Sequence, residues 1–541
     1  MAFNDILESL GGVGYFQILH SILLLVPVAL LASHNLLQNF TAAVPAHHCR
    51  LPINTALYQG QVNTTNYSDQ AELLDLFIPF NQDQRPERCV RYIRIQGQHF
   101  PVNVTGKTKK ELSTEHCREG WVYDKTVFTS TIVTEWNLVC NHQSWKLVAR
   151  SIYMTGVLLG ALVFGNLADK LGRMEILTWS YLQMGIAGSC AAFLPSFDAY
   201  CAFRFLCGLA SSAISVNTIS LILEWMPKRG RTLAGNFFGF SYSLGQLILA
   251  AVAYKIRDWR WLQFAVSAPF YVFFIYSWWL PESARWLIVQ DRPHQALKNL
   301  CKAARFNGKL KESRKLTAEI LRSEMQKESK EIRSSHSVID LVRTPEMRRM
   351  SVCLIFIWFS ANLSYYGLSM DLQNFGLSIF LAQALFGGVE MVAKVLVMVA
   401  MTFVGRRVMQ FLTLVLAGVM VMSYGFVPQD MQLVCTVLAV TGKALLACSV
   451  TCMYLYTGEL YPTEIRQTGM GFSAMNARLG SAVASLLHLT GEFSSSLLPM
   501  IFGVTPIVAG LFSCFLFETR DSPLPDIIGD VESRHHNRRR Y

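Results

Sequence analysis

Arg478 stands inside a stretch, RQTGMGFSAMNARLGSAVASLLHLTGEF at 466–493, that is otherwise mostly small and apolar. Twelve residues separate it from Arg466. At ~1.5 Å per helical residue that is about 18 Å, past the middle of a ~30 Å hydrocarbon layer. A charge at that depth costs at least ~2.5–3.5 kcal/mol unless it faces a cavity or a partner. Two further charges, Glu390 and Lys394, lie in LSIFLAQALFGGVEMVAKVLVMVAMTF at 377–403, four apart and therefore on one helix face. A guanidinium binds carboxylates and phosphates bidentately, and two cations against one acid make a net positive pocket suited to an anion. The structural reading competes with this one: Glu390 neutralises Lys394, or locks Arg478. Lys443 in TGKALLAC stands at the start of its span, either snorkelling at the rim or reaching the pocket. Arg204 in AFRFLCG reads as structural or gating.

Aromatic and amide side chains accompany these charges. NFFGFSYSLGQ carries Phe237, Phe238, Phe240 and Tyr242; IFIWFSANLSYYGLSM carries Trp358, Phe359, Tyr365 and Tyr366. Rings with hydroxyls offer stacking area and hydrogen bonds to flat amphipathic anions, although any one membrane aromatic is more often packing. Asn35, Ser215 and Asn217 are polar at membrane depth, as pocket hydrogen-bonders or interhelical ties.

Such residues need membrane spans to hold them. The chain of 541 residues is 52% hydrophobic and only 16% charged, with a mean hydropathy of +0.30. Runs of about 20 apolar residues predict an all-α polytopic membrane protein. The net charge of +11 is concentrated in loops, a positive-inside asymmetry rather than a nucleic-acid footprint. The start, MAFNDILESLGGVGYFQILH, has no basic n-region, so no cleaved signal peptide is expected. Spans are predicted near 15–37, 146–168, 176–194, 199–223, 232–254, 261–280, 351–372, 377–402, 408–427, 432–456, 467–491 and 498–517. The expected layout is a cytoplasmic N-terminus at 1–14, a six-helix half at 15–280 containing an extracellular loop at 40–143, a basic cytoplasmic loop at 281–350, a second half at 351–517 and a cytoplasmic tail at 518–541. The basic loop holds 16 Lys and Arg with helical patterning. The first loop holds Cys49, Cys89, Cys117 and Cys140, with sequons at Asn63, Asn66 and Asn103 and one at Asn39 on its edge. It reads as glycosylated and disulfide-bridged, with three pairings open. His47-His48 beside Cys49 reads as loop surface rather than a metal site.

The two halves repeat. Glu224-Trp-Met-Pro-Lys-Arg-Gly-Arg231 closes span four and Glu459-Leu-Tyr-Pro-Thr-Glu-Ile-Arg466 closes span ten, both E-x-x-P-x-x-x-R and 235 residues apart. The same offset lays Ser243-Leu-Gly-Gln246 on Arg478-Leu-Gly-Ser481, and Pro281-Glu-Ser283 answers to Phe517-Glu-Thr519. A duplicated six-span unit predicts pseudo-symmetric halves with a site between them. Gly165-Asn-Leu-Ala-Asp169-Lys-Leu-Gly172-Arg173 and Gly405-Arg406-Arg407 are tight turns with helix-end charges. With the duplication, Asp169, Arg173, Glu224, Arg231, Glu459 and Arg466 are read as gating residues rather than as a merely solvated basic face.

G-x-x-x-D-K-x-G-R is the signature loop of the major facilitator superfamily, and here the chain resembles that family. The start MAFNDILESLGGVG, ASHNLLQNFTAAVPAHHCR at 32–50, SWWLPESARWL, and YTGELYPTEIRQTGMG at 456–471 resemble its organic anion transporters, specifically the renal-type members that exchange organic anions against dicarboxylates. The resemblance covers essentially the whole chain and implies the twelve-helix facilitator fold. It implies that Lys394 and Arg478 help recognise anionic substrate or counter-ion; cation-carrying relatives typically have an acid at the position of Arg478. It also implies that Tyr242, Trp358, Tyr365, Tyr366 and Asn35 are pocket residues. This chain departs from the pattern at Val450, where relatives usually have phenylalanine, and at Val392, where they tend to have proline; Tyr454 is another aromatic position. A smaller wall at 450 reshapes the pocket, and span eight is expected to be straighter.

The expected function is a polyspecific, sodium-independent transporter of small organic anions in the plasma membrane, exchanging them for an intracellular dicarboxylate, with both termini cytoplasmic. The alternatives are an organic cation or zwitterion transporter of the same fold and a non-transporting anion receptor. No P-loop, metal-ligand set or Ser/His/Asp arrangement stands out, so neither an enzyme nor an ATP-driven pump is expected. No cofactor, metal or nucleic acid is expected; a monomer is sufficient and the oligomeric state is left open.

Overall fold

A computed structural model describes residues 3–50, 77–80, 86–93, 113–313, 316–322, 339–370, 372–375, 377–428, 431–462, 465–490, 497–520, 525 and 528–532. Among the described residues, eight helices are long and apolar enough to cross a bilayer. With four others they make twelve helical segments: α1 (Tyr15–Leu36), α2 (Ser144–Leu171), α3 (Arg173–Phe193), α4 (Phe197–Trp225), α5 (Lys228–Lys255), a broken α6 (Trp259–Ser267 and Pro269–Ser277), α7 (Pro345–Ser369), α8 (Ile379–Val404), α9 (Arg406–Phe426), α10 (Gln432–Leu460), α11 (Arg466–Thr490) and α12 (Leu497–Ser513). The face where α1 begins is called the near face below, and the opposite one the far face.

Two spans and one residue depart from the sequence expectation. The sixth span is two helices because Pro269 has no N–H to continue the ladder. The seventh begins earlier, at Pro345, where proline suits the first helical turn. Lys443, read as standing at the start of its span, lies eleven residues inside α10, which begins at Gln432 where the span is expected to begin. Helix α8 runs without interruption through Val392.

The duplication reappears as geometry. Gly245 on α5 has no room for a Cβ, which would strike the Ala29 carbonyl of α1; Gly480 on α11 stands in the same relation to the Phe359 carbonyl of α7. Helices α1 and α5 therefore pack closely, as do α7 and α11. The one-residue turns before α3 and α9 are Gly172 and Gly405, with φ of +117° and +91°, a region other residues rarely adopt. Each half has its own apolar core: Leu354, Trp358, Met453 and Tyr456 belong to that of the second half. In the first, Phe16 and Trp225 pack on Leu300 and Ala304 of the loop helix Pro293–Phe306. The described part of the basic segment contains helices at Ala284–Val289, Pro293–Phe306, Leu310–Ser313 and Asp340–Arg343.

Residues 40–146 with 257–259 form a second compact unit. Strand β1 (His47–Cys49) pairs antiparallel with β4 (Trp121–Tyr123), and β2 (Val90–Tyr92) with β3 (Thr114–His116). Of the three pairings open to the four cysteines, Cys49–Cys117 and Cys89–Cys140 are the ones formed. His47 is not loop surface: it is 7% exposed within β1, its Nδ1–H bonded to the Pro45 carbonyl at 2.9 Å. It converges with Cys89 and Cys140, but their disulfide removes the thiolates a metal would need. The sequons at Asn63, Asn66 and Asn103 lie outside the described residues. Asn39 is a correction. It is buried at 6% exposure, its Nδ2 donates to the Ser369 carbonyl at 2.9 Å and its Oδ1 accepts from Arg150 Nη2. In this structure both ends of the Asn39 amide are engaged within the fold, away from the solvent a glycan would occupy.

Candidate functional site

Two polar networks join the halves at mid-membrane. The first centres on Glu390 of α8, 1% exposed. Its Oε1 accepts from Lys394 Nζ at 2.7 Å and Ser243 Oγ at 2.8 Å; its Oε2 accepts from Gln246 Nε2 at 2.8 Å and Tyr365 OH at 2.9 Å. All four sites of the carboxylate are used, which is what a buried anion needs. Lys394 Nζ spends its other two protons on Ser243 Oγ and the Gly239 carbonyl, each at 2.8 Å. The i,i+4 pairing that competed with an anion site is therefore formed, and Glu390 does not lock Arg478.

Gln246 extends this network. Its Oε1 accepts from Lys443 Nζ at 2.8 Å and Gln383 Nε2 at 3.3 Å. Lys443 is 1% exposed, with its ammonium 4.3 Å from the Phe386 ring centroid and 5.4 Å from that of Tyr365. Cation–π contact and one amide thus hold a deep lysine that has no carboxylate in direct contact among the described residues. The network sums to two lysines against one glutamate. Reading the residues one span at a time missed Gln246 as a site residue. The available signal was a long polar side chain aligned by the duplication on the Arg478 turn.

The second network gathers Asn35, Tyr242 and Tyr366. Asn35 Oδ1 accepts from Tyr153 OH at 2.5 Å and Ser211 Oγ at 3.2 Å, while its Nδ2 donates to Tyr242 OH at 3.3 Å. The Tyr242 and Tyr366 hydroxyls meet at 3.2 Å, and the Tyr365 and Tyr366 rings stand edge to face at 5.4 Å. Tyr366 thereby links the second half to α1, α2, α4 and α5.

Arg478 lies apart from both networks. Its Nη2 donates to Ser215 Oγ of α4 at 3.1 Å, and among the described residues no carboxylate pairs with it. It is only partly buried, unlike Lys394 and Lys443. Tyr454 is 50% exposed on α10 and meets the edge of Trp358 at 4.6 Å between centroids. Trp358 itself is 2% exposed, with its Nε1–H bonded to Thr457 Oγ1 at 3.1 Å, so in this conformation it supports Tyr454 rather than presenting a face. Val450 packs against the same core.

At the near face the gating candidates form two matching clusters, each within one half. Arg173 pairs with Glu224 at 3.1 Å and Asp169 at 3.3 Å; Arg406 pairs with Glu459 at 3.1 Å. Glu282 caps the start of α3 by accepting from Met174 N at 2.8 Å, and Glu518 caps α9 by accepting from Arg406 N at 2.9 Å and Arg407 N at 3.0 Å. A carboxylate at a helix start also answers the helix dipole. Burial pushes the Glu282 carboxyl above the usual carboxylate range. Arg231 and Arg466 each donate Nε to the carbonyl five residues back, Met226 and Tyr461, at 3.2 and 3.1 Å. Toward the far face Arg204 is fully buried, 4.3 Å over the Tyr153 ring, with Nη2 3.4 Å from the His34 carbonyl. Arg150, which drew no attention in the sequence, holds Asn39 against the end of α7.

This arrangement has no nucleophile–base pair and no metal-ligand set among the described residues. It presents hydroxyls, ring faces and excess positive charge between two similar halves. The profile of the sugar (and other) transporter family matches residues 95–527. Solute carrier family 22 member 20 of Mus musculus is 52% identical over 535 residues, 99% of this chain and 94% of that one. Solute carrier family 22 member 6-A of Xenopus laevis is 48% identical over 99% of this chain and 94% of its own length, and member 6 of Bos taurus 47% over 100% and 96%. The inward-open xylose transporter XylE of E. coli, 15% identical, covers 96% of this chain and 99% of its own with a TM-score of 0.62, a likeness of fold alone.

Proposed function

The chain belongs to the sugar (and other) transporter family and to solute carrier family 22, and from that premise we propose that it carries organic anions across the plasma membrane by exchange. It is a transporter of the major facilitator fold and not an enzyme. The observation that carries the anion reading is Arg478, a partly buried guanidinium whose bond is to a serine hydroxyl and not to a carboxylate. A transported carboxylate supplies what that cation lacks, in bidentate geometry.

The networks suggest how binding couples to movement. Lys394 draws two of its three hydrogen bonds, from Ser243 and Gly239, from the first half, and Lys443 draws its bond from Gln246. When the halves part, both lysines lose these partners and turn toward the cavity. A loaded anion replaces them, so the empty pocket is reluctant to reorient and exchange follows. Tyr454, Tyr366, Tyr365, Tyr242 and Asn35 offer the stacking and hydrogen-bonding surface, with room added by Val450. The near-face clusters around Arg173 and Arg406 keep each half rigid as it rocks. An intracellular dicarboxylate is the counter-anion in this reading, both termini face the cytoplasm as the loop charges favour, and glycans sit on Asn63, Asn66 and Asn103.

The test is uptake into expressing cells of a labelled aromatic carboxylate, p-aminohippurate, against the cation tetraethylammonium, with and without preloaded glutarate. Carboxylate uptake stimulated by preloading is expected. Preferential uptake of the cation would overturn the anion reading, and carboxylate uptake indifferent to every preloaded dicarboxylate would overturn the exchange.

A further inference from the structure

The loop helix Pro293–Phe306, PHQALKNLCKAARF, contains no acid. Its apolar residues Ala296, Leu300, Ala303 and Ala304 are buried on the near face of the first half. Lys298, Lys302 and Arg305, spaced four and three apart, are exposed on the other side and share one helical face. Gly308 follows in a left-handed conformation, φ +70°, and Lys309 N bonds back to the Ala304 carbonyl at 2.8 Å. This Schellman-type turn folds exposed Lys309 against the last turn and extends the stripe to four cations. Among the described residues, none of Lys298, Arg305 and Lys309 has a carboxylate partner.

What this helix is fastened to decides what it faces. Lys302 Nζ donates to the Trp279 carbonyl just beyond α6 at 2.9 Å. Asn307 accepts from Phe16 N at 2.9 Å and donates to Gln17 Oε1 at 2.9 Å at the start of α1. The C-terminal part of the helix is therefore fastened to the ends of two membrane spans. Tyr15, Trp278 and Trp279 at those ends are 65%, 65% and 68% exposed. Tyr and Trp exposed at span ends mark the headgroup level of the bilayer. Exposed cations at that level, three of them without a carboxylate partner among the described residues, are placed to meet lipid headgroups.

We propose that Lys298, Lys302, Arg305 and Lys309 form a binding site for the phosphorylated headgroup of an anionic phospholipid in the leaflet at the near face. The charge complementarity is of the kind that basic amphipathic helices beside membrane spans use. The site is separate from the Glu390 and Asn35 networks between the halves, and binding there holds the loop helix, and through Asn307 the start of α1, against the membrane.

The test uses the full chain in phosphatidylcholine nanodiscs doped with phosphatidylinositol bisphosphate, with retained lipid counted by native mass spectrometry. Each Lys or Arg near such a surface contributes roughly fivefold in affinity, so the variant Lys298→Gln/Arg305→Gln/Lys309→Gln is expected to lose about a hundredfold. Lys302 is left in place because it holds the Trp279 carbonyl. A second variant, Lys298→Arg/Arg305→Lys/Lys309→Arg, is expected to retain the lipid, which separates loss of charge from loss of fold. Equal retention by the Gln variant, or loss by both, would overturn the site. Equally tight binding of soluble inositol trisphosphate would overturn its assignment to a membrane lipid.

Discussion

Glu390 and Lys394, one turn apart on α8, form a closed ion pair at 2.7 Å with side chains 2% and 9% exposed. The acid that had the best claim on Arg478 is therefore spent. What remains in the second half is a guanidinium beside a hydroxyl, and a deep lysine held by an amide and two rings.

Arg478→Ala is expected to raise the half-saturating concentration for organic anions about tenfold to a hundredfold, the ~1.5–3 kcal/mol of a charge-assisted hydrogen bond. Arg478→Lys is expected to lie between, since it keeps the charge and loses the planar fork. Cell-surface biotinylation confirms that each variant reaches the membrane. Unchanged uptake of every anion by Arg478→Ala would remove it from the site.

Glu390→Gln leaves Lys394 buried against polar but neutral partners. Breaking a buried pair by removing one member costs ~3–5 kcal/mol. Thermal unfolding of the purified protein is expected to show Glu390→Gln well below the parent, and Glu390→Gln/Lys394→Met partly restored. If the two substitutions prove additive, the pair is not coupled.

How far the sequence reveals this site depends on the range of the interaction. The i,i+4 spacing of Glu390 and Lys394 is local, so their pairing is one of the readings the sequence offers. The duplication is legible too: Gly172 answers to Gly405, and Glu282 to Glu518. That each glutamate reaches back to cap the helix after its glycine is not legible, because over a hundred residues intervene. Gln246 escaped for the same reason. Its four partners sit on α7, α8 and α10, and no pattern along α5 points to them. Ser215 was visible as a polar residue at depth, but not as the partner of Arg478. Arg150 and Asn39 show the opposite error, a sequon that reads as surface until its amide is seen bonded at both ends.

Gly405→Ala and Gly172→Ala test whether the repeated turns are equivalent. Both positions have positive φ, and an added Cβ would lie 2.8 Å from Glu518 Oε2 or 2.7 Å from Glu282 Oε2. Strain at such a residue costs ~1–3 kcal/mol, and the displaced carboxylate also stops capping the following helix. Both variants are expected to lose thermal stability by similar amounts and to lower transport while the affinity for anion holds. A loss confined to one variant would mean that the two turns share a shape but not a role.

His47 gives the disulfide-bridged unit a dependence on acid. Burial lowers its pKa below the ordinary 6.5, and the nearby Arg88 adds to this, while the bond to the Pro45 carbonyl opposes it. A base whose folded-state pKa is depressed contributes stability that is present above the unfolded pKa and lost as pH falls through it. Limited proteolysis of this unit in intact membranes is expected to be slow at neutral pH and to accelerate progressively below about pH 6.5. His47→Gln, which does not titrate, is expected to flatten that profile; His48 is depressed by burial in the same direction and is replaced alongside it in a second variant. A profile unchanged in both variants would place the acid sensitivity elsewhere.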